Sequence, residues 1–590
     1  MFRIAVVAAL LLVCCVSFAE QSTKSGKNIH PELALHTKHF DKKIYRVGDN
    51  VYSAVGWNVS NIVMIEGDDG IILVDAGLNP ETSAAVLAEF RKITTKPIVA
   101  IFYSHFHHDH IGGVKGLVTE DQVASGQVSI YAHSTLMHSL ATESNLLGPV
   151  LGVRAGYTFG FHLESEDRQA MNAGIGPLPT GGKPVSFIAP THVIEDRLSL
   201  TISGVDIEVL HVPSEAPDEL VIYLPESRAL IDTEVIQGPT FPNMHTLRGA
   251  QFRDPVQWVT SIDRLRELSA EYLVPSHGQP VYGAEKSEEV LRMTRDAIQY
   301  VHDQTIRYMN RGLTPDELVQ AVKLPPHLHS YSPYLRQYYG TVKHAVRQIY
   351  TGYLGWFEGD PVALDPVPRK EGARRLVKMM GGRDSVLQAA RDAFSDGDDQ
   401  WAAELATYLI RIDTNDQAAR DVKAGALRSL AYGSMNINWR NWYLSSAMEL
   451  EGAGHDLADP AKMAKVFSPP DIVASIPVAT SLAAWSTRLK AEETLSVNMT
   501  LGFRFTDRDQ EFALTVRRGV AEFSKRIPST ANAVLSLTKP QLDNLVLQKT
   551  TIEQEVTHGR LKLDGSLDEV VEFLGYFEQL GEQPIALTLR

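Results

Sequence analysis

At 590 residues the chain is too long for a single hydrophobic core, and roughly three or four domains are expected. An apolar fraction of 44% and a charged fraction of 22% are ordinary for a folded protein and exclude a chain dominated by disorder. A net charge of -15 argues against nucleic acid or an anionic membrane surface as partner, although a local cationic pocket can still receive an anionic substrate.

Residues 1–19 read as a secretory signal peptide. Arg3 precedes an apolar run from Ile4 to Val16, and Ser17-Phe18-Ala19 forms a small-x-small cleavage site before Glu20. The alternative is an uncleaved anchor. Both cysteines, Cys14 and Cys15, fall inside this leader, so the mature chain has no thiol for disulfides or catalysis. No later run approaches the length of a transmembrane helix, which leaves no stable membrane span after signal removal and a periplasmic or secreted location.

Lys43 to Gly56 and Asn61 to Asp75 each read as a hairpin, followed by an amphipathic helix over Pro80 to Ile93. Asp75 sits at a strand end, where it could support histidines from behind or simply make a turn. A buried strand at 98–103 runs into Ser104-His105-Phe106-His107-His108-Asp109-His110, then Gly112 and Gly113. In this spacing His105 and His107 can face one cation while Asp109 and His110 face a second, and imidazole with carboxylate suits zinc or a similar first-row metal. The plainer reading is a solvated histidine-rich loop. His108 is expected behind the ligands or at the surface.

After a short strand at 128–131, the stretch to Pro190 carries Arg154, Tyr157, Phe159, His162, Asn172, Gly174 and Gly176 with little periodicity, and reads as a substrate-binding insertion. Strands follow at 207–212, 220–224 and 229–232, with a further one at 273–275. Glu215, Glu234 and His277 then stand just past strand ends, the same station as the histidine turn. This favours a ligand role over that of solvated loop residues. Residues 285–346 read as largely helical, Tyr353 to Pro361 as an aromatic loop, and 385–432 as helix pairs of tetratricopeptide type. Beyond Asp459-Pro460 and Pro469-Pro470, alternation at 495–501 and 512–516, a strand at 534–537 and a helix at 567–580 make an α+β block.

Four runs carry a resemblance: S-E-A-P-D-E at 214–219, T-L-R-G-A-Q-F-R-D at 246–254, P-Y-L-R-Q-Y-Y-G-T-V at 333–342 and Y-L-G-W-F-E-G-D-P at 353–361. With the histidine turn, they make the chain similar to the alkyl sulfatases of the metallo-β-lactamase superfamily. The resemblance implies an α/β fold: an αββα sandwich over 20–285, an all-α dimerisation domain over 286–455 and a sterol-carrier-like α+β domain over 465–590, assembled as a homodimer. It implies two zinc ions, one on His105, His107 and Glu215, the other on Asp109, His110 and His277, bridged by Glu234. It also implies that Arg248 grips the sulfate of an amphiphilic ester and that Tyr339 lines the pocket, although Tyr339 could equally be structural.

The implied reaction is hydrolysis of alkyl sulfate esters to alcohol and inorganic sulfate by a metal-activated water. The chain departs from the family at Gly238 to Asn243. There Pro242 replaces the histidine that serves the family as proton donor, and His245 is the candidate substitute, against a plain surface histidine. That departure keeps open a lactonase, thioesterase or phosphodiesterase on the same site, and the C-terminal α+β block keeps open a lipid-binding carrier with a structural metal site.

Overall fold

The computed structural model describes residues 29–168, 171–179, 183–453, 469–579 and 585–589; the expected leader and the Asp459-Pro460 pair lie outside them. Two sheets stack at the centre of the N-terminal unit. The first runs in order β1 (Lys43–Val47), β2 (Val51–Val55), β3 (Ile62–Glu66), β4 (Ile71–Val74), β5 (Ile98–Phe102), β6 (Ser129–His133), β7 (His192–Ile194). It is antiparallel up to β4 and parallel from β4 onward. The second contains β8 (Arg197–Ile202), β9 (Val205–His211), β10 (Leu220–Leu224), β11 (Ala229–Thr233), β12 (Tyr272–Pro275) and β13 (Val281–Tyr282). Its one parallel pair is β11 with β12.

Burial follows sheet position. β10 and β11 are buried at every residue because helices cover one face and the other sheet covers the opposite face. The edge strand β8 alternates exposed and half-buried positions, as a strand with one wet face must. Val63, Ile65, Ile72 and Phe102 meet Val209, Ile222, Ile231 and Val274 between the sheets. Outside the first sheet, Val86 and Phe90 of the helix Pro80–Phe90 pack on Ile62, Leu73 and Ile101. Asn79 caps that helix, accepting from the Thr82 amide at 3.1 Å. Outside the second sheet lie the helices Pro255–Glu267 and Ala284–Met309. The result is the expected αββα sandwich.

Three elements correct the sequence reading. The strand β8 and the helix Pro255–Glu267 were not anticipated. The helix had a legible signal: Asp254 as N-cap, Pro255 in the first turn, and Trp258, Ile262 and Leu265 buried at helical spacing. The region read as an irregular insertion contains a twelve-residue helix, Gly148–Phe159. It carries three glycines and buries most of its residues, so no polar face marks a helical period. Nor is 285–346 continuous: Ala284–Met309 is followed by the short helices Pro315–Ala321 and Pro326–His329, then by Val342–Leu354.

The middle region stacks helices Arg383–Ser395, Asp399–Ile412, Gln417–Tyr432 and Ile437–Leu450 about Val386, Leu405, Leu409 and Leu427. The C-terminal unit is a five-stranded sheet of β14 (Asn498–Phe505), β15 (Gln510–Arg517), β16 (Val520–Ser524), β17 (Ala533–Leu537) and β18 (Lys562–Asp564), covered by Leu542, Val570 and Phe573. Ahead of it, Ile472 and Ile476 pack into the sandwich beside Phe106, Leu140 and Ala216, and Asp471 pairs with Lys115 at 2.9 Å. Among the described residues no helix is long and apolar enough to cross a membrane.

Candidate functional site

The two sheets bring their strand ends to one edge of the sandwich, and the chain turns there. Past β5, Ser104 and His105 lead into a single helical turn, His108–Ile111, that presents Asp109 and His110. Gly112 and Gly113 let this turn lie flat on the end of β4. A Cβ on Gly113 would collide with the Ala76 carbonyl and the Ser83 side chain. From the second sheet come Glu215 after β9, Glu234 after β11 and His277 after β12.

These seven side chains form two groups with one member in common. In the first, His105 Nε2 lies 2.8 Å from His107 Nδ1 and 3.9 Å from Glu215 Oε2, and His107 Nδ1 lies 3.2 Å from Glu215 Oε2. In the second, His110 Nε2 lies 3.5 Å from Asp109 Oδ2, which is 3.9 Å from His277 Nε2. Glu234 divides itself between them. Its Oε2 is 3.7 Å from His105 Nε2, and its Oε1 is 3.8 Å from His110 Nε2 and bonded to His277 Nε2.

Hydrogen bonds on the far side aim each ring. His110 Nδ1 donates to Asp75 Oδ2 at 2.7 Å, and His277 Nδ1 donates to the Val59 carbonyl at 2.9 Å, so both leave Nε2 facing inward. Asp75 also takes the Ser104 amide at 2.9 Å and the Ser276 hydroxyl at 3.0 Å. It therefore supports ligand segments of both sheets rather than making a plain turn. Glu215 is pinned through Oε1 by Arg253, which also donates to the Asn243 carbonyl at 2.6 Å.

The electrostatics point to cations. Burial, then the charges of His110 and His107, holds the His105 imidazole well below its usual range. Burial opposes ionisation of Asp109, but His110 and His277 nevertheless hold its carboxyl well below the normal range. His277 and His110 do the same for Glu234. Burial, then the neighbouring Glu234 charge, pushes Glu219 well up; burial also lifts Asp218 to about 7. Carboxylates here outnumber the guanidiniums of Arg248 and Arg253. His110 Nε2 and Glu215 Oε2, both aimed into the clusters, are buried without a hydrogen bond. Ligand atoms held about 2.0–2.1 Å from a tetrahedral zinc stand about 3.3 Å apart, and within each cluster one atom from every ligand lies within 4.8 Å of the others. The residues fit a pair of divalent ions.

The ligands open into a cavity lined by His107, Asp109, Glu215 and Glu234 together with Arg248 and Tyr339. Arg248 Nη2 donates to His107 Nε2 at 3.1 Å and lies 3.7 Å from Glu143 Oε2. Its backbone is held by Arg154, whose guanidinium donates to the Leu247 and Arg248 carbonyls, each at 2.7 Å. Leu140, Ala155, Phe159, Phe161 and Ile175 make the apolar part of the wall, so the helix Gly148–Phe159 places both the anchor of Arg248 and an apolar surface. Tyr339 packs on Gly174, whose φ of 85° and missing side chain admit it, and burial raises its hydroxyl pKa.

His108 lines the cavity instead of standing behind the ligands. His245 is outside the lining. Its ring lies 6.3 Å from that of His344, which accepts from Trp439 Nε1 at 2.6 Å, and burial, then Arg253, lowers the His245 imidazole to about 4. The next residue, Thr246, faces the cavity, so the chain direction at that point turns His245 toward the helical unit. The proton-donor role expected of it has no geometric support. The sequence reading passed over Asp218, Glu219, Arg253 and Glu143. The first three stand inside the quoted runs at 214–219 and 246–254, and a run that dense in charge was the available signal.

Comparison with known proteins agrees along most of the chain. Residues 55–277 match the metallo-beta-lactamase superfamily, 314–453 the alkyl sulfatase dimerisation family and 467–583 the alkyl sulfatase C-terminal family. A linear primary-alkylsulfatase of Pseudomonas sp. is 55% identical over 530 residues, 89% of this chain and 100% of its own length. An (R)-specific secondary-alkylsulfatase of Pseudomonas sp. is 33% identical over 91% of this chain and 80% of its own. The solved stereoselective inverting sec-alkylsulfatase from Pseudomonas sp. superposes with a TM-score of 0.86 at 31% identity, covering 94% of this chain and 87% of that one.

Proposed function

The chain belongs to the alkyl sulfatase family, and on that premise we propose that it hydrolyses alkyl sulfate esters to an alcohol and inorganic sulfate at a pair of zinc ions. His105, His107 and Glu215 would hold one ion and Asp109, His110 and His277 the other, with Glu234 shared. When bound, such ions supply Lewis acidity and a nucleophile at neutral pH. The protein's own groups bind and orient. Arg248 presents a planar fork to the sulfate oxygens, kept in place by Arg154 from behind. Tyr339, its phenol kept protonated by burial, is a further donor at the same wall. Leu140, Phe159, Phe161 and Ile175 take the alkyl chain and keep water from it.

The observation that carries the reading is one cavity that joins a guanidinium, two ligand clusters and an apolar wall. A sulfate monoester of a fatty alcohol has those same three parts. Zinc-loaded protein is expected to release sulfate from medium-chain alkyl sulfates. Arg248→Ala is expected to lower kcat/KM about 100- to 1000-fold with unchanged metal content. A lactonase or thioesterase would keep its turnover after that substitution. Failure of the zinc-loaded chain to release any sulfate would end the proposal.

The same reading takes the mature protein as an exported homodimer. The leader composition and the match at 314–453 support it, as does an exposed apolar set that includes Trp356, Val362, Leu364 and Met379. Export is checked by an intact mass that starts at Glu20, and assembly by the mass in solution.

A further inference from the structure

Glu219 is fully buried immediately before β10 and belongs to neither ligand cluster. Its two oxygens face different sheets. Oε1 accepts the Thr233 hydroxyl at 2.5 Å and the Glu234 amide at 3.0 Å. Oε2 makes no hydrogen bond of its own and lies 3.5 Å from His105 Nδ1, whose hydrogen bond is with Ser104 Oγ at 3.0 Å. One side chain therefore reaches from the first histidine of the metal turn to the backbone of the shared glutamate.

The backbone it holds is an unusual one. Thr233 is β-branched yet has φ of 51°, a conformation such residues adopt only when their surroundings impose it. Its hydroxyl, bonded to Glu219 and 3.1 Å from the Leu220 carbonyl, ties that turn to the start of β10. Glu234 follows directly, and its direction depends on the turn.

We propose that Glu219 is a positioning residue for the cation of the His105, His107 and Glu215 cluster. It sets the peptide from which Glu234 extends Oε2 into that cluster, and it stands behind His105 beside the Nδ1 that Ser104 Oγ bonds at 3.0 Å. Asp75 is hydrogen-bonded to His110 at 2.7 Å, so a buried acidic side chain stands behind a first-sheet histidine at each ion position. The inference rests on reading the two clusters as metal sites.

Glu219→Gln separates the two contacts without changing shape. The amide oxygen can still accept from Thr233 and Glu234, whereas the amide nitrogen puts a donor in place of the acceptor beside His105 Nδ1. Titration of the metal-free variant with zinc against a competing chelator should show one of two ions bound about 10- to 100-fold more weakly, with the other unchanged. In the cobalt(II)-substituted variant, the hyperfine-shifted exchangeable proton of His105 should move or vanish while that of His110 stays. Thr233→Val, which leaves Glu219 in place, should weaken the same ion to a smaller degree and serves if the glutamine variant does not fold. Two ions bound as in the parent, or equal losses at both, would overturn the proposal. A parent chain that binds no divalent cation would instead overturn the metal reading beneath it.

Discussion

The first sheet delivers His105, His107, Asp109 and His110 on one turn of chain, whereas the second delivers Glu215, Glu234 and His277 from the ends of three strands. The compact half is shaped by local geometry: a strand end, a single helical turn and two glycines pressed against β4. The dispersed half has no such local device. Its members are held by remote charge and hydrogen bonding, with Arg253 on Glu215, Glu219 on the Glu234 amide and the Val59 carbonyl on His277. The contiguous set is shaped by its own turn of chain as well as by partners such as Asp75, while the scattered set depends on a buried partner for each arm.

On that contrast, the largest effect comes from removing a partner of the dispersed half. Arg253→Met leaves Glu215 as an uncompensated buried carboxylate, so metal-free protein should lose about 3–5 kcal/mol in denaturant unfolding. Zinc should recover part of this loss, since a cation replaces the missing charge. An unchanged unfolding midpoint would break the comparison.

A smaller effect is expected for the compact half. Asp75→Asn keeps the shape beside His110 and weakens one zinc ion by about 10- to 100-fold. The turn itself should persist, because the strand end and glycines still shape it, and circular dichroism of the metal-free variant checks that. Collapse of the turn on this substitution would show that the compact half needs its carboxylate as much as the dispersed half does.

The smallest effect touches neither half. His344 and His245 lie between the sandwich and the helix Ile437–Leu450, and burial lowers their imidazoles to about 3 and about 4 from an ordinary 6.5. Between those values the unfolded chain binds protons that the folded chain refuses, so stability falls as pH drops from about 6.5 toward 4. His344→Gln keeps an acceptor for Trp439 without titrating, and the fall in thermal midpoint across that window should become shallower.

The difference between the halves also explains what could be read in advance. The histidine turn is visible because spacing within one turn of chain is a property of sequence. Glu215, Glu234 and His277 were found through their station at strand ends, which needs only the order of strands. The four family runs, with the histidine turn, carried the fold class.

Tertiary structure alone decided the rest. The helix Gly148–Phe159 is buried on most sides, and a segment without a wet face leaves no amphipathic trace. His245 was expected at the pocket, but the direction of the chain at Thr246 turns it toward His344. The pairing of Arg253 with Glu215, of Arg154 with the backbone of Arg248, and of Glu219 with both His105 and Glu234 joins residues far apart in the chain. Sequence fixes which groups are available and which strands carry them. Which group meets which is set by the packing of one sheet on the other, because side chains past different strand ends meet only once the sandwich has closed.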